Sequence, residues 1–502
     1  DAQTGETLIG ANVRVKGTNL GAATNVDGEY YILQVPPGEH TLVASYIGYH
    51  EKTITGVEVN VGLTAKINIK MQPSSIESPE IVVQAENPVV KKDVTSSRQI
   101  SSREQIKSTP GLDQALESLS LQSGVVSGQA PPVVSLNGGQ QLQVRDESLK
   151  DLHIRGGRGG EVLYMVDGMP VTHPIYGGRS VMDLDINAVS QMELLTGAFS
   201  AEYGQAQSGV VNITTRSGGQ KLTGGIEYKT DAAGLWGRTN NSHYTSMHFG
   251  GPININMPGK LSFFATGNAK ITDTDYSNNR DREEITLFGT DLLDQKQDNT
   301  LGVTAKLDWQ LDIPIKVTLN YQGTWKEWSN YDWLWVRHPN NLANYSRYNQ
   351  NMGIKMTHTL SKSTFYNITF SRLAVDYNGS LRGQTPADFW NFYPDSTALA
   401  NGNALDYQQW KNQYGNADPY EVDSRLSAPI VDPTTGFFTD DGAQATWRDD
   451  ITRTYTLKGD FTSQLVDFYM MKAGFKFQYH DIQYVDIQDG GYKLSSYGRQ
   501  VF

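Results

Sequence analysis

With no cysteine among its 502 residues, the chain can hold no disulfide and no thiolate-bound zinc or iron–sulfur site. A formal net charge of −12 argues against a general nucleic-acid binder, which presents a basic face. No apolar run reaches the ~18 residues that a membrane-crossing helix needs, but a membrane β-strand needs only ~9–11 and is half polar. The chain opens at Asp1 with neither a basic nor an apolar leader segment, so a targeting peptide or further N-terminal sequence is expected to be missing.

Residues 1–72 read as a small β-sandwich. Val13 and Val15, Tyr30–Leu33, Thr41–Ala44, Val57–Val59 and Ile67–Ile69 form short strands, and Asp27-Gly28, Pro36-Pro37-Gly38 and Gly48 supply the turns. Asp27 reads as the turn-initiating residue of a hairpin rather than a calcium ligand. Residues 73–98 form a linker broken by Pro73, Pro79 and Pro88. Within it lies one apolar run, Glu80, Ile81, Val82, Val83, Gln84 and Ala85. That run is either a strand donated to a partner's sheet edge or a strand packed on the sandwich.

Residues 99–218 read as a compact α+β domain. Ser101-Ser102-Arg103-Glu104 can start a helix, and Leu112, Leu116 and Leu119 share a helical face that Gly124 ends. Glycine-punctuated strands follow at 152–158 and 162–171. The segment from Met192 to Gly218 then alternates short apolar runs (Leu194-Leu195, Val210-Val211) with Gly197, Gly204 and Gly209.

From residue 219 onward the sequence alternates with a period of two. Val303, Ala305, Leu307, Trp309 and Leu311 point one way, and Thr304, Lys306, Asp308, Gln310 and Asp312 the other. Ile315–Tyr321 and Met471–Tyr479 repeat the pattern. A barrel wall in lipid needs one apolar and one polar face, with aromatic residues near the strand ends. Long polar, aromatic-rich inserts at 273–299, 327–348 and 376–450 contrast with tight turns such as Asp312-Ile313-Pro314.

Three motifs occur in one order: Ile154-Arg155-Gly156-Gly157-Arg158; a segment containing Val166-Asp167-Gly168 and Pro170; and a segment containing Glu202, Tyr203, Gly204, Gly209, Asn212 and Arg216. Together they resemble the plug domain of TonB-dependent outer-membrane receptors, and residues 1–72 resemble the carboxypeptidase regulatory-like domain. The plug motifs are closer to the Oar-like group than to the SusC-like glycan importers. The resemblance implies a plug inside a 22-stranded barrel, and it places Glu80–Ala85 where the TonB box lies. The implied partners are a TonB-like inner-membrane energy-coupling protein, outer-membrane lipid, an extracellular ligand and a surface or periplasmic protein. The implied location is the outer membrane of a Gram-negative-type bacterium, with the sandwich in the periplasm.

The expected fold is thus mainly β: an N-terminal β-sandwich (1–72), a linker with a TonB-box-like segment (73–98), an α+β plug (99–218) and the first part of a transmembrane antiparallel β-barrel (219–502). At ~25 residues per strand and loop, the last region yields roughly ten to twelve strands. An open wall would leave an unpaired edge in lipid, so the sequence is expected to be part of a longer chain. The expected function is import of an extracellular ligand, with secretion or surface assembly and adhesion as the alternative. No catalytic constellation, cofactor or metal site is expected. His153 reads as a satisfied histidine, His243 and His248 as facing opposite sides, and the Asp273–Asp281 cluster as a solvated loop face. Arg155, Arg158, Glu202 and Arg216 are expected to make salt bridges between plug and wall, because a buried charge must be paired.

Overall fold

The computed structural model describes residues 1–74 (except 19, 34, 61 and 62), 81–84, 97–129 (except 110), 133–135, 141–143, 149–231, 242–272, 284–287, 290–294, 298–329, 343–381 (except 362), 430–431, 439–441, 446–466 and 469–488. In the N-terminal region, β1 (Asn12–Val15) pairs with β2 (Gly21–Ala23) and β3 (Gly38–Ser45), and β4 (Lys52–Val59) pairs with β3, all antiparallel. A fifth strand, β5 (Ile81–Gln84), lies parallel against β4, with Lys52 opposite Ile81 and Thr55 opposite Gln84.

The core of this unit is Val13, Val15, Leu42, Ala44, Ile54, Val57 and Met71. Two expected strands are absent. Tyr30–Leu33 and Ile67–Ile69 are extended but join no sheet. Their alternate residues Tyr30, Ile32, Ile67 and Ile69 still pack on the core, and the Tyr30 hydroxyl donates to the Ile67 carbonyl at 2.8 Å. Side-chain burial thus holds them where the pattern implied a ladder. Burial also pushes the Tyr30 phenol up to about 12, which keeps it a donor at neutral pH. The turn before Tyr30 is organised by Asn25 rather than Asp27. Asn25 Oδ1 accepts from the backbone N–H of Asp27 (3.0 Å) and of Glu29 (2.8 Å), an Asx turn.

The second unit starts with β6 (Ser97–Ser102) and α1 (Arg103–Lys107). Ser102 caps the helix in a reciprocal box with Gln105. The next helical segment is a 3₁₀ turn, Ala115–Leu121, one or two residues later than the pattern suggests. The Glu117 carboxylate accepts from the N–H groups of Asp113 and Gln114 and fixes its start. Strand β7 (Val125–Gln129) is followed by the hairpin β8 (Val133–Ser135) and β9 (Gln141–Gln143), and pairs with β10 (Lys150–Ile154).

The main sheet adds β11 (Val162–Val166), β12 (Met169–Pro170), β13 (Val189–Gly197) and β14 (Gly209–Thr215). Its order is β12-β11-β14-β13-β6, with β11 and β14 parallel and β6 at an edge. Tyr164, Val166, Leu194 and Val211 fill one side, while Leu163, Met165, Leu195 and Val210 fill the other. Burial on both faces explains the unbroken apolar run Val162–Val166.

The third unit is a wall of nine antiparallel strands. In chain order they are β15 (Thr223–Thr230), β16 (His243–Ile253) and β17 (Lys260–Ile271); then, past a hairpin of β18 (Glu284–Leu287) and β19 (Thr290–Asp294), β20 (Asp298–Gln310), β21 (Ile315–Ser329), β22 (Ala343–Ser361) and β23 (Thr364–Leu381); then, past β24 (Ile430–Val431) and β25 (Thr439–Asp441), β26 (Thr446–Val466) and β27 (Tyr469–Gln488). The described residues hold nine strands of this wall, against the ten to twelve expected for the whole region, and single strands run to as many as 21 residues. Glu327, Tyr348, Asp376 and Asp450, expected in inserts, lie within strands. The strands therefore run on past the apolar band, where alternation no longer shows.

The wall's burial is inverted relative to a soluble sheet. Gln322, Thr324, Asn349 and Asn351 are fully buried. Leu319, Ile354, Phe370, Leu457 and Phe477 face one another across successive strands, and all are exposed, from 40% to 65%. A polar inner face against protein and an apolar outer belt is what a lipid-embedded wall requires.

Two glycines of the second unit mark close approaches. A Cβ on Gly157 would lie 2.3 Å from Ser208 Cβ, and one on Gly209 would lie 2.4 Å from Ile154 Cδ1. On Gly204 the nearest atom would be 3.9 Å away. Gly157→Ala is expected to destabilise this unit by about 1–3 kcal/mol through overpacking, and Gly204→Ala to leave it within about 0.5 kcal/mol. Urea unfolding of the second unit in the reconstituted protein, read by tryptic protection, checks the ranking.

Candidate functional site

The second unit meets the wall along a polar seam, and the seam centres on a turn. Between β11 and β12, Asp167 and Gly168 both have positive φ, 52° and 82°, the signature of the tight Asp-Gly hairpin turn. The turn aims the Asp167 carboxylate at three donors. It accepts from Thr215 N–H at 3.1 Å, from Thr215 Oγ1 at 2.5 Å and from Lys306 Nζ, on wall strand β20, at 2.8 Å. Lys306 also donates to the Thr215 carbonyl at 3.0 Å. Both charged side chains are only 7% exposed. A buried pair of this kind persists only when its remaining hydrogen-bonding capacity is met, as it is here.

The rest of the seam repeats the polarity. Asp113 pairs with Lys229 at 3.1 Å, and Lys270 lies 3.9 Å from it. Asp183 pairs with Arg347 at 2.9 Å. Asp185 accepts from the Tyr244 hydroxyl at 2.5 Å. Asn187 Nδ2 donates to Ser246 Oγ at 3.0 Å, and Asn349 donates to the Val181 carbonyl. Carboxylates come mainly from the second unit and cations mainly from the wall, with Lys107–Glu227 (3.6 Å) reversed.

This corrects the expected wall-binding set. Arg155 is exposed at positive φ and donates to Ser97 Oγ, within its own unit. Arg158 and Glu202 are exposed and make no ion pair or hydrogen bond to the wall among the described residues. The reason is local: β10 stops at Ile154 and β14 begins at Gly209, so these charges fall in turns rather than on strands facing the wall. Arg216 does reach the wall, with its guanidinium 4.4 Å above the Phe264 ring as a cation–π contact.

The other motif residues serve packing and turns. Ile154 and Val166 are core, Gly156 has φ 78°, and Tyr203 packs beside Leu195. Pro170 ends the short strand β12, and Asn212 faces Glu193 in the ladder. His153 Nδ1 lies 3.0 Å from the Gly157 carbonyl. Among the described residues no group of His, Asp and Glu could hold a metal. The Asp273–Asp281 cluster and residues Glu80 and Ala85 lie outside the described residues.

A second buried pair stands at the sheet's edge. Glu193 on β13 lies 2.7 Å from Arg98 on β6, with the two side chains 3% and 15% exposed. Burial raises the Glu193 carboxyl above its usual range despite Arg98. Strand β6 is the next described strand after β5.

Comparison with known proteins follows the same division. Residues 1–83 match the CarboxypepD_reg-like domain, and residues 90–211 match the TonB-dependent Receptor Plug Domain. TonB-dependent receptor SusC of Bacteroides thetaiotaomicron is 24% identical over 86% of this chain and 37% of its own length. TonB-dependent receptor P26 of Formosa agariphila is 30% identical over 43% of this chain and 20% of its own length. TonB-dependent transporter Oar of Myxococcus xanthus is 24% identical over 45% and 20%. The matched stretches thus span about a fifth to about two fifths of these relatives. Among solved structures, the outer membrane transporter YddB from Escherichia coli superposes with a TM-score of 0.48 at 12% identity, covering 77% of this chain and 48% of that one.

Arg98→Ala leaves the buried Glu193 unpaired and is expected to cost about 3–5 kcal/mol of second-unit stability. Burial holds the carboxyl above its ordinary value of 4.5. Its stabilising contribution is therefore fully present below that value and lost as pH rises through the raised folded-state value. Glu193→Gln is expected to flatten this part of the profile, as measured by urea midpoints from pH 4 to 8.

Proposed function

We propose that this chain, whose residues 1–83 and 90–211 match the CarboxypepD_reg-like domain and the TonB-dependent Receptor Plug Domain, belongs to the TonB-dependent receptors and forms the sandwich, plug and adjoining wall of an active outer-membrane importer. The observation that carries the reading is the seam. A plug sheet rests on the polar inner face of a wall whose outer face is apolar, held by charge pairs such as Asp167–Lys306 and Asp183–Arg347. Ion pairs and hydrogen bonds of this kind can be exchanged for water when the plug moves, whereas an apolar seam would resist wetting.

The importer performs no chemistry on its cargo. An extracellular ligand engages the polar, aromatic-rich inserts expected at 273–299, 327–348 and 376–450 and the outward side of the plug. A TonB-like inner-membrane protein takes Glu80–Ala85 as an added strand, the mode by which an extended peptide completes a sheet edge. In the structure Ile81–Gln84 already pairs with β4 of the sandwich, so capture by the partner is a strand exchange. Tension then passes along the linker to β6, an edge strand joined to the plug sheet through β13 alone. Peeling β6 away breaks Arg98–Glu193 and opens the plug from that edge. The sandwich lies in the periplasm in this arrangement.

The test uses the full-length receptor with Glu80–Ala85 deleted. Import predicts normal surface assembly with ligand uptake lost. Normal uptake with lost secretion or adhesion supports a surface-assembly role in its place. Because the native chain has no cysteine, a Val82→Cys variant carries a single thiol in this segment. It is expected to cross-link to a cysteine-bearing energy-coupling partner in cells.

A further inference from the structure

One part of the wall runs against the charge of the molecule as a whole. The protein is acidic, with 54 carboxylate residues against 42 lysines and arginines. Yet the inner face of β20 to β27 is rich in lysine. Asp308, Thr318, Lys355, Thr369, Lys458 and Lys476 face one another in a single row across six strands. Lys306 and Lys316 lie one inward-facing position away on β20 and β21, and Lys472 lies two below Lys476 on β27.

All these side chains share the parity of buried, plug-facing neighbours. Thr304, Asn351, Thr357 and Thr456 are buried, Lys306 reaches Asp167, and Lys476 donates to Gln205 of the plug at 3.0 Å. The opposite parity carries the apolar belt, so these ammonium groups face the lumen.

Half of the lysines are neutralised. Lys306 pairs with Asp167 at 2.8 Å, Lys316 with Asp308 at 2.9 Å and Lys458 with Asp460 at 3.1 Å. Lys355, Lys472 and Lys476 have no carboxylate within 4 Å among the described residues. One of the neutralising groups, Asp167, belongs to the plug. When the plug leaves, Lys306 loses its partner and joins Lys355, Lys472 and Lys476 as a lysine with no carboxylate within 4 Å among the described residues.

A lumen wall needs polar side chains, and Ser, Thr, Asn and Gln supply them on the loop-side half of the same strands, as at Gln322, Thr324, Asn349 and Asn351. Polarity alone therefore does not account for a run of ammonium groups at one level. Uncompensated charge of one sign along a confined passage with low-dielectric walls focuses the field and concentrates ions of the other sign.

We propose that this lysine row is the selectivity element of the passage beside the Asp167–Gly168 turn, and that the passage takes anionic cargo: solutes bearing carboxylate, phosphate or sulfate groups. Lys306 is held neutral by Asp167 in the closed state and joins the row on opening. The proposal rests on the importer reading and adds the charge class of what is imported.

The test is ion selectivity of the reconstituted full-length receptor in a planar bilayer, with urea used to release the plug and a KCl gradient across the membrane. The expected reversal potential lies on the chloride-selective side. Lys355→Glu with Lys472→Glu, neither of which breaks an ion pair, is expected to shift it towards potassium selectivity. Lys355→Arg is expected to leave it in place. A potassium-selective native pore, or a reversal potential unmoved by the double charge reversal, overturns the proposal while leaving the importer reading intact. A receptor that yields no pore when its plug unfolds contradicts both.

Discussion

The structure depends on one constraint: the wall must be apolar where it meets lipid and polar where it meets protein. In a strand that alternation costs nothing, because successive side chains already point to opposite faces. It has a consequence for whatever lies inside. A domain filling such a lumen cannot seal against it with a hydrophobic surface alone. It must offer hydrogen-bonding groups in register with those of the wall, and Asp113, Asp167, Asp183, Asp185 and Asn187 do this. The plug's own cohesion comes from an apolar interior built on both sides of β11, β13 and β14, which Leu373 and Val375 of wall strand β23 join. Cohesion within the plug is thus mainly apolar and its seating mainly polar, with an apolar contact to the wall at β23.

The glycine-rich motifs take their meaning from that arrangement. The glycines do not cradle a phosphate. Gly157 and Gly209 let the turn after β10 and the start of β14 approach within van der Waals distance of Ser208 and Ile154. Asp167-Gly168 turns the chain so that a carboxylate at the tip reaches a lysine on the wall. The stretch from Met192 to Gly218 supplies the two strands and the Thr215 contacts that hold that carboxylate in place.

Much of this was legible in the sequence, and the reason is locality. Period-two alternation over 303–311 is a property of consecutive residues, and over 303–309 it maps onto the alternation of more exposed and buried side chains observed. The helix start at Ser101–Glu104 is local in the same way, although the capping box forms one residue on, between Ser102 and Gln105. The pairing of charges was not legible. Lys306 and Asp167 are 139 residues apart, and nothing in either neighbourhood says that they meet. Sequence reasoning selected Arg155, Arg158 and Glu202 because they interrupt apolar or glycine-rich runs. A turn exposes such charges as readily as a strand buries them, and only the end points of β10 and β14 decide between the two. The segments Tyr30–Leu33 and Ile67–Ile69, which join no sheet, show a related limit: alternation reports burial of one face, not membership of a ladder.

The central claim is that plug and wall are coupled through buried charge, with Asp167–Lys306 as the principal contact. A double-mutant cycle of Asp167→Asn and Lys306→Met in the full-length receptor tests it most directly. The readout is the urea concentration at which the plug leaves the wall, followed by pore conductance. Each single variant is expected to weaken seating by about 3–5 kcal/mol, because each strands a buried charge. The double variant is expected to cost much less than their sum, a coupling of the order of 1–3 kcal/mol or more. Additive losses, or single variants that leave plug release unchanged, would contradict the account.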